Sequence, residues 1–307
     1  MDPDRIEQSL RALITRAGGA ACPGLLAQAI HDAVFPAGGR LRPRLCLTIA
    51  GACGDRDPML ADGAAAAVEL LHCASLVHDD LPCFDDSEMR RGRPSIHSAY
   101  GQPIAVLAGD ALIVLAFEAV IDVGCRDERA RIDVLRALAA AAGAPSGLVA
   151  GQAWESEPEP DLRRYHGSKT GALFEAAAMV GAIAGGGSGM QWRPVGALLG
   201  EAYQYADDLA DALGDPKQLG KPVGKDCVRA APSLVEREGV VTAVRALDRA
   251  LQCALDAVPA CGGRDRVIEL ITAAATRLCP SALLRQLPSL RLVANEGVAA
   301  RSRVQVI

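Results

Sequence analysis

Apolar residues recur at helical spacing along almost the whole chain, and no segment alternates apolar and polar residues as a half-buried strand does. That period predicts helices over 4–17, 22–35, 40–52, 60–79, 86–91, 103–121, 129–142, 144–156, 167–184, 192–212, 232–257, 264–277 and 280–287. Breaks fall where turn residues cluster: Ala37-Gly38-Gly39, Gly54-Asp55, Gly124, Ala144-Pro145, Gly185-Gly186-Gly187 and Gly214-Asp215-Pro216. Half of the residues are apolar but only 3% are aromatic, so the helices must pack closely through Ala, Leu and Val. A chain of 307 residues can bury a large core, and no Pro-, Gly- or Ser-rich linker divides it. The expectation is one all-α domain spanning 1–307, a bundle of a dozen or so helices.

Several function classes drop out early. The net charge of -5 gives no basic footprint for nucleic acid. The ten cysteines form no CxxC pair, which argues against a zinc ribbon or a redox centre. They are expected as buried thiols in a reducing, cytoplasmic setting. The most apolar long stretch, 104–123, carries Asp110, Glu118 and Asp122 and is expected to be a buried core helix rather than a membrane span. The glycines at 185–187 have neither the Lys-Ser/Thr of a P-loop nor a preceding strand. No nucleophile elbow is visible.

Two acidic clusters carry the chemistry. The first, Asp79-Asp80-Leu81-Pro82-Cys83-Phe84-Asp85-Asp86, follows an apolar helix. Acids at a helix C-terminus meet its partial negative charge and are disfavoured unless a cation joins them. Pro82 cannot continue the helical ladder, so the chain is expected to bulge and return Asp85 to Asp79. In the second cluster, Asp207-Asp208-Leu209-Ala210-Asp211, the outer pair is four residues apart and shares one helix face. Like charges at that spacing repel, and a hard cation reverses the sign. Magnesium suits the pattern, since it is typically held by one or two carboxylates plus substrate phosphates. Basic residues follow each cluster, at Arg90-Arg91-Gly92-Arg93 and at Lys221-Pro222-Val223-Gly224-Lys225. Carboxylates for metal, metal for diphosphate and cations for the remaining oxygens form one coherent set.

These residues resemble the trans-isoprenyl diphosphate synthases. The likeness extends to Gly38-Gly39-Arg40-Leu41-Arg42-Pro43, Gly109-Asp110, Gly151-Gln152, Lys169-Thr170-Gly171 and Gln204, and so covers most of the chain. It is nearest to the bacterial members that make geranylgeranyl diphosphate for carotenoids and bacteriochlorophyll. The resemblance implies helices around a central cavity, a homodimer, and a head-to-tail trans condensation of isopentenyl diphosphate with allylic diphosphates. It implies that Asp79, Asp80, Asp85, Asp207, Asp208 and Asp211 hold several magnesium ions and the allylic diphosphate. Arg90, Lys169, Lys221 and Lys225 would face the same diphosphate. Arg42, His72 and Arg91 would hold isopentenyl diphosphate, and Thr170 and Gln204 would lie near the developing cation. The chain departs from the family at Gly39, where Lys is usual, and Arg40 is the expected substitute.

Product length should depend on the helix below the first cluster, where Ala74 and Ser75 lie about a turn and a half before Asp79. Farnesyl-making relatives often place an aromatic residue at the position of Ala74, so geranylgeranyl diphosphate is the expected product. The alternatives are a farnesyl diphosphate synthase and a non-catalytic regulatory subunit of a prenyl synthase. Arg42 and Arg91 argue against a cyclase, which needs no isopentenyl site. His78, beside Asp79, is as much a candidate to orient a carboxylate as to act as a base.

Overall fold

The computed structural model describes residues 4–35, 38–213 and 234–278. The helices are α1 (Asp4–Ala17), α2 (Gly24–Val34), α3 (Leu41–Ala52), α4 (Pro58–Asp79), α5 (Ile96–Tyr100), α6 (Gln102–Ile121) and α7 (Glu128–Ala142). There follow α8 (Leu148–Trp154), α9 (Leu162–His166), α10 (Ala172–Gly185), α11 (Gly189–Leu213), α12 (Leu234–Glu238), α13 (Val240–Asp256) and α14 (Arg264–Leu278).

Local chemistry sets these ends. Asp57 accepts from Leu60 N at 3.2 Å ahead of Pro58, a capped start with proline at the first position. Asp127 and Asp161 cap α7 and α9 in the same way. Helix α4 is the core element, buried from Leu60 through Val77 on most of its circumference, and it packs on α3, α6 and α10. A Cβ on Gly63 would lie 2.3 Å from Ala119 O, so only glycine lets α4 and α6 cross this closely. A second, smaller core joins α11, α13 and α14 through Leu209, Leu247, Leu251 and Ala275.

Four expectations need correction. The segment 86–91 is not a helix: Met89–Arg90 (β1) pairs antiparallel with Arg93–Pro94 (β2) across a two-residue turn. Arg91 and Gly92, with φ of 52° and 75°, take the positive values such a hairpin turn requires. The segment 232–257 is broken at Gly239, whose φ is 84°. Helix α6 is not buried throughout; Val106, Leu107, Val114 and Ile121 are exposed along one face. Of the described cysteines only Cys46 and Cys73 are buried, while Cys83 and Cys253 are exposed. An apolar neighbourhood in sequence does not say which side of a helix faces inward. Helix 280–287 and Cys227 and Cys279 lie outside the described residues.

Candidate active site

The first cluster turns back on itself as Pro82 requires. Asp85 N donates to Asp79 O at 2.7 Å, and Ser87 N donates to Asp80 O at 3.1 Å. The two members of the Asp pair then diverge. Asp80 is buried and grips Arg90, with Nε at 3.0 and 3.2 Å from its two oxygens and Nη2 on one of them. Asp79 stays at the cleft, with Lys169 Nζ at 3.8 Å. Burial pushes the Asp79 carboxyl up to about 6; Lys169 opposes this, while Asp85 and Glu155 add to it.

Lys169 and Thr170 lie in a π-helical turn, Gly167–Gly171, between α9 and α10. Such turns widen a helix locally and recur at functional sites. Lys169 also bonds Glu155, which accepts from Tyr165 Oη at 2.7 Å and from Gln152 Nε2 at 2.8 Å. Burial works against the Lys169 charge, but Asp79 and Glu155 raise its pKa overall.

Thr170, the next residue, points to the other cluster. Its hydroxyl donates to Gln204 Oε1 at 2.8 Å, and Gln204 Nε2 donates to Asp208 Oδ1 at 2.9 Å. Asp208 is buried and its other oxygen accepts from Leu234 N at 3.0 Å, so it ties α11 to α12. Each Asp pair thus has a buried second member engaged by the protein, Asp80 or Asp208. Each first member, Asp79 or Asp207, is only half-buried. Two consecutive residues of one turn therefore connect to both clusters.

Beside the first cluster lies a cavity of about 510 Å³, its lining including Arg42, His72, Arg90, Arg91 and Tyr203. Arg42 is buried, with its guanidinium 4.4 Å from the Phe174 ring centroid and 5.4 Å from that of Tyr203. Among the described residues its Nε has no hydrogen-bond partner. Burial, with Arg42, Arg91, Arg90 and Arg40 around it, holds the His72 imidazole well below its ordinary range, so the ring is neutral at pH 7. Arg90 lines this cavity while gripping Asp80, and so stands between the Arg-lined cavity and the aspartates.

Gly38, also in the lining, lies against Arg91: a Cβ there would lie 2.6 Å from Arg91 Nη2. The guanidinium occupies the space of the missing side chain. Gly38→Ala should therefore displace Arg91 with little loss of stability, because the far end of a flexible side chain can move. The expected result is a KM for isopentenyl diphosphate raised about tenfold, the order of one charge-assisted hydrogen bond. An unchanged KM in steady-state assays would show that Arg91 does not bind that substrate.

One sequence expectation fails here. Arg40 cannot replace a lysine at Gly39: its guanidinium donates to Glu7 at 2.8 Å, Glu69 at 2.6 Å and Val34 O at 3.0 Å. His78 turns to α6 rather than to Asp79: its Nε2 lies 3.3 Å from Val106 O and 3.7 Å from the Asp110 carboxylate. Ala74 is buried in the main core, and Ser75 Oγ donates to His72 O at 2.9 Å. Lys221 and Lys225 lie outside the described residues. Sequence reasoning missed Glu155, although it stands three residues after Gln152 in a quoted motif.

The Polyprenyl synthetase family profile matches residues 23–272. The chain belongs to that family. It is 47% identical over 277 residues to the geranylgeranyl diphosphate synthase of Cereibacter sphaeroides, covering 90% of this chain and 96% of the relative. Identity to the enzyme of the same name from Rhodobacter capsulatus is 46%, over 87% of this chain and 92% of that one. Among solved structures, the Helicobacter pylori geranyltransferase complexed with magnesium and isoprenyl diphosphate superposes with a TM-score of 0.75 at 25% identity, covering 90% of this chain and 99% of that one. The fold is that of the isoprenoid synthases.

The residues present also fit magnesium. No three His, Cys, Asp or Glu side chains among the described residues converge as a closed metal site. A cation held by one or two carboxylates and completed by phosphate oxygens needs none. The crowding of Asp79 by Asp85 and Glu155 is the electrostatic condition that such a cation relieves.

Proposed function

We propose that the chain condenses isopentenyl diphosphate with allylic diphosphates, head-to-tail and trans, to give geranylgeranyl diphosphate. The observation that carries this reading is the adjacency of two differently built anion sites. One is the aspartate cleft with Lys169; the other is the arginine-lined cavity, with Arg90 between them. A single allylic diphosphate needs only the first. A condensing enzyme needs both.

Asp79, Asp85, Asp207 and Asp211 would hold magnesium ions, which when bound would supply positive charge to the departing diphosphate. Lys169, already oriented by Glu155, adds a fixed positive charge beside Asp79. Thr170 directs its proton to Gln204, so its oxygen lone pairs are what it can offer to a developing cation. Arg42, Arg91 and neutral His72 hold isopentenyl diphosphate with its double bond toward the cleft. The site must exclude water, which would otherwise quench the cation. The released diphosphate is the base for the final proton.

Ala74 and Ser75 set the chain length in this reading. Ala74→Tyr should shift the product from geranylgeranyl towards farnesyl diphosphate, at about 1–3 kcal/mol of stability for overpacking a buried site. Mass spectrometry of products from dimethylallyl, geranyl and farnesyl diphosphates tests both claims. If the wild type elongates none of the three, the functional reading fails; if the variant's products match the wild type, the floor lies elsewhere.

The exposed stripe of Val106, Leu107, Val114 and Ile121 on α6 is the face that a second copy covers in a homodimer. Asp110, 61% exposed on the same helix, opposes lipid as the cover and fits a cytoplasmic enzyme. A monomer by light scattering at micromolar concentration would refute that assignment.

A further inference from the structure

The arginine cavity holds more positive charge than Arg42, Arg90 and Arg91 supply. Arg44, on α3, and Arg277, in the last turn of α14, also line it. Among the described residues neither guanidinium has an ion-pair partner or a hydrogen bond. Gly39, also in the cavity wall, contributes no side chain, and Arg40 is held by Glu7 and Glu69.

Helix α14 explains how a distant residue arrives here. Leu270, Ala274 and Arg277 recur at helical spacing and all line the cavity, so one face of α14 forms its wall. That face is apolar along its length and cationic at its end. The combination suits a ligand with a small hydrocarbon part and an anionic head. In the same lining the buried Nε of Arg42 has no partner among the described residues, which marks a donor left for a ligand.

We propose that Arg44 and Arg277 complete the diphosphate-binding set of this cavity, supplying from α3 and α14 the charge that Gly39 and Arg40 do not. The proposal rests on reading the cavity as the isopentenyl diphosphate site. It adds specificity-determining residues to that site and makes α14 part of substrate capture.

Calorimetric titration with isopentenyl diphosphate alone, without magnesium or an allylic partner, reads the cavity independently of turnover. Arg44→Gln and Arg277→Gln should each raise the Kd about 3–30-fold, and the double variant more, as expected for losing charge-assisted hydrogen bonds. In condensation assays with farnesyl diphosphate saturating, the KM for isopentenyl diphosphate should rise in parallel. The kcat and the KM for farnesyl diphosphate should stay within about twofold, and Arg44→Lys with Arg277→Lys, which keep a point charge for phosphate, should recover part of the loss. A merely structural role would lower Tm and kcat together.

A double Gln variant that binds isopentenyl diphosphate within twofold of the wild type overturns the proposal. Failure of the functional reading looks different. In that case the wild type does not condense the two substrates at all, while the calorimetric comparison still decides whether Arg44 and Arg277 bind the diphosphate.

Discussion

Asp79→Asn should lower kcat for condensation by at least about 10²–10³-fold, the order seen when one preorganised charge-stabilising group is lost. The same substitution should leave the fold at least as stable as the wild type without magnesium. Asp79 is held against Asp85 and Glu155 in a partly buried cleft, and its carboxyl is pushed up to about 6 chiefly by burial. The folded state therefore holds the charged form at a cost. That cost is absent below the unfolded pKa, grows as pH rises from the ordinary carboxylate range to about 6, and persists above it. Asparagine keeps the shape and removes the charge. Single-turnover kinetics and thermal melts at pH 7.5, with and without magnesium, check both halves. A variant with wild-type turnover would exclude Asp79 from the metal site. One that is inactive but also less stable would make its role structural.

Glu69→Ala should cost about 3 kcal/mol of stability, the largest effect expected outside the aspartate cleft. Glu69 and Arg40 are 2% and 7% exposed, and their ion pair measures 2.6 Å. Burial works against the Arg40 charge, but hydrogen bonds and charges from Glu7 and Glu69 raise its pKa. Removing Glu69 leaves a buried guanidinium held by Glu7 and Val34 O alone. Urea denaturation should show a lower midpoint with an unchanged slope. A loss under 1 kcal/mol would mean that the guanidinium relaxes into the adjacent cavity and finds solvent there.

Much of this was legible before any coordinates. Helical period and turn residues located most of the helices, because amphipathic spacing and glycine breaks act locally. The bulge at Pro82 was legible for the same reason, since a missing N–H is a property of one residue. The hairpin at Met89–Pro94 was not, because Arg91 at positive φ is an unusual turn residue and carries no turn signal. Arg91 also has φ of 52° where glycine or asparagine is favoured, and its guanidinium lies over Gly38.

Side-chain fates divided along the same line. Spacing pairs Asp207 with Asp211 on one helix face and, through the bulge at Pro82, Asp85 with Asp79, but it does not say which aspartates the protein itself engages. Folding buries Asp80 against Arg90 and Asp208 against Gln204 and Leu234 N. Arg40, beside Gly39, looked like the substitute cation, and Glu7 and Glu69 claim it instead. Such pairings join residues dozens of positions apart, and no local pattern encodes them.

The sequence by itself determined the helical class, the two carboxylate clusters and the magnesium–diphosphate binding that they imply, because residue types and short spacings carry those directly; the condensation reaction was implied by the likeness to a family. Only the tertiary structure decided which aspartate of each pair faces the cleft and which arginines face the second cavity. It also brought Lys169 to Asp79, and Thr170 through Gln204 to Asp208. The physical reason is that burial and pairing are set by which helix faces meet, and those meetings are long-range.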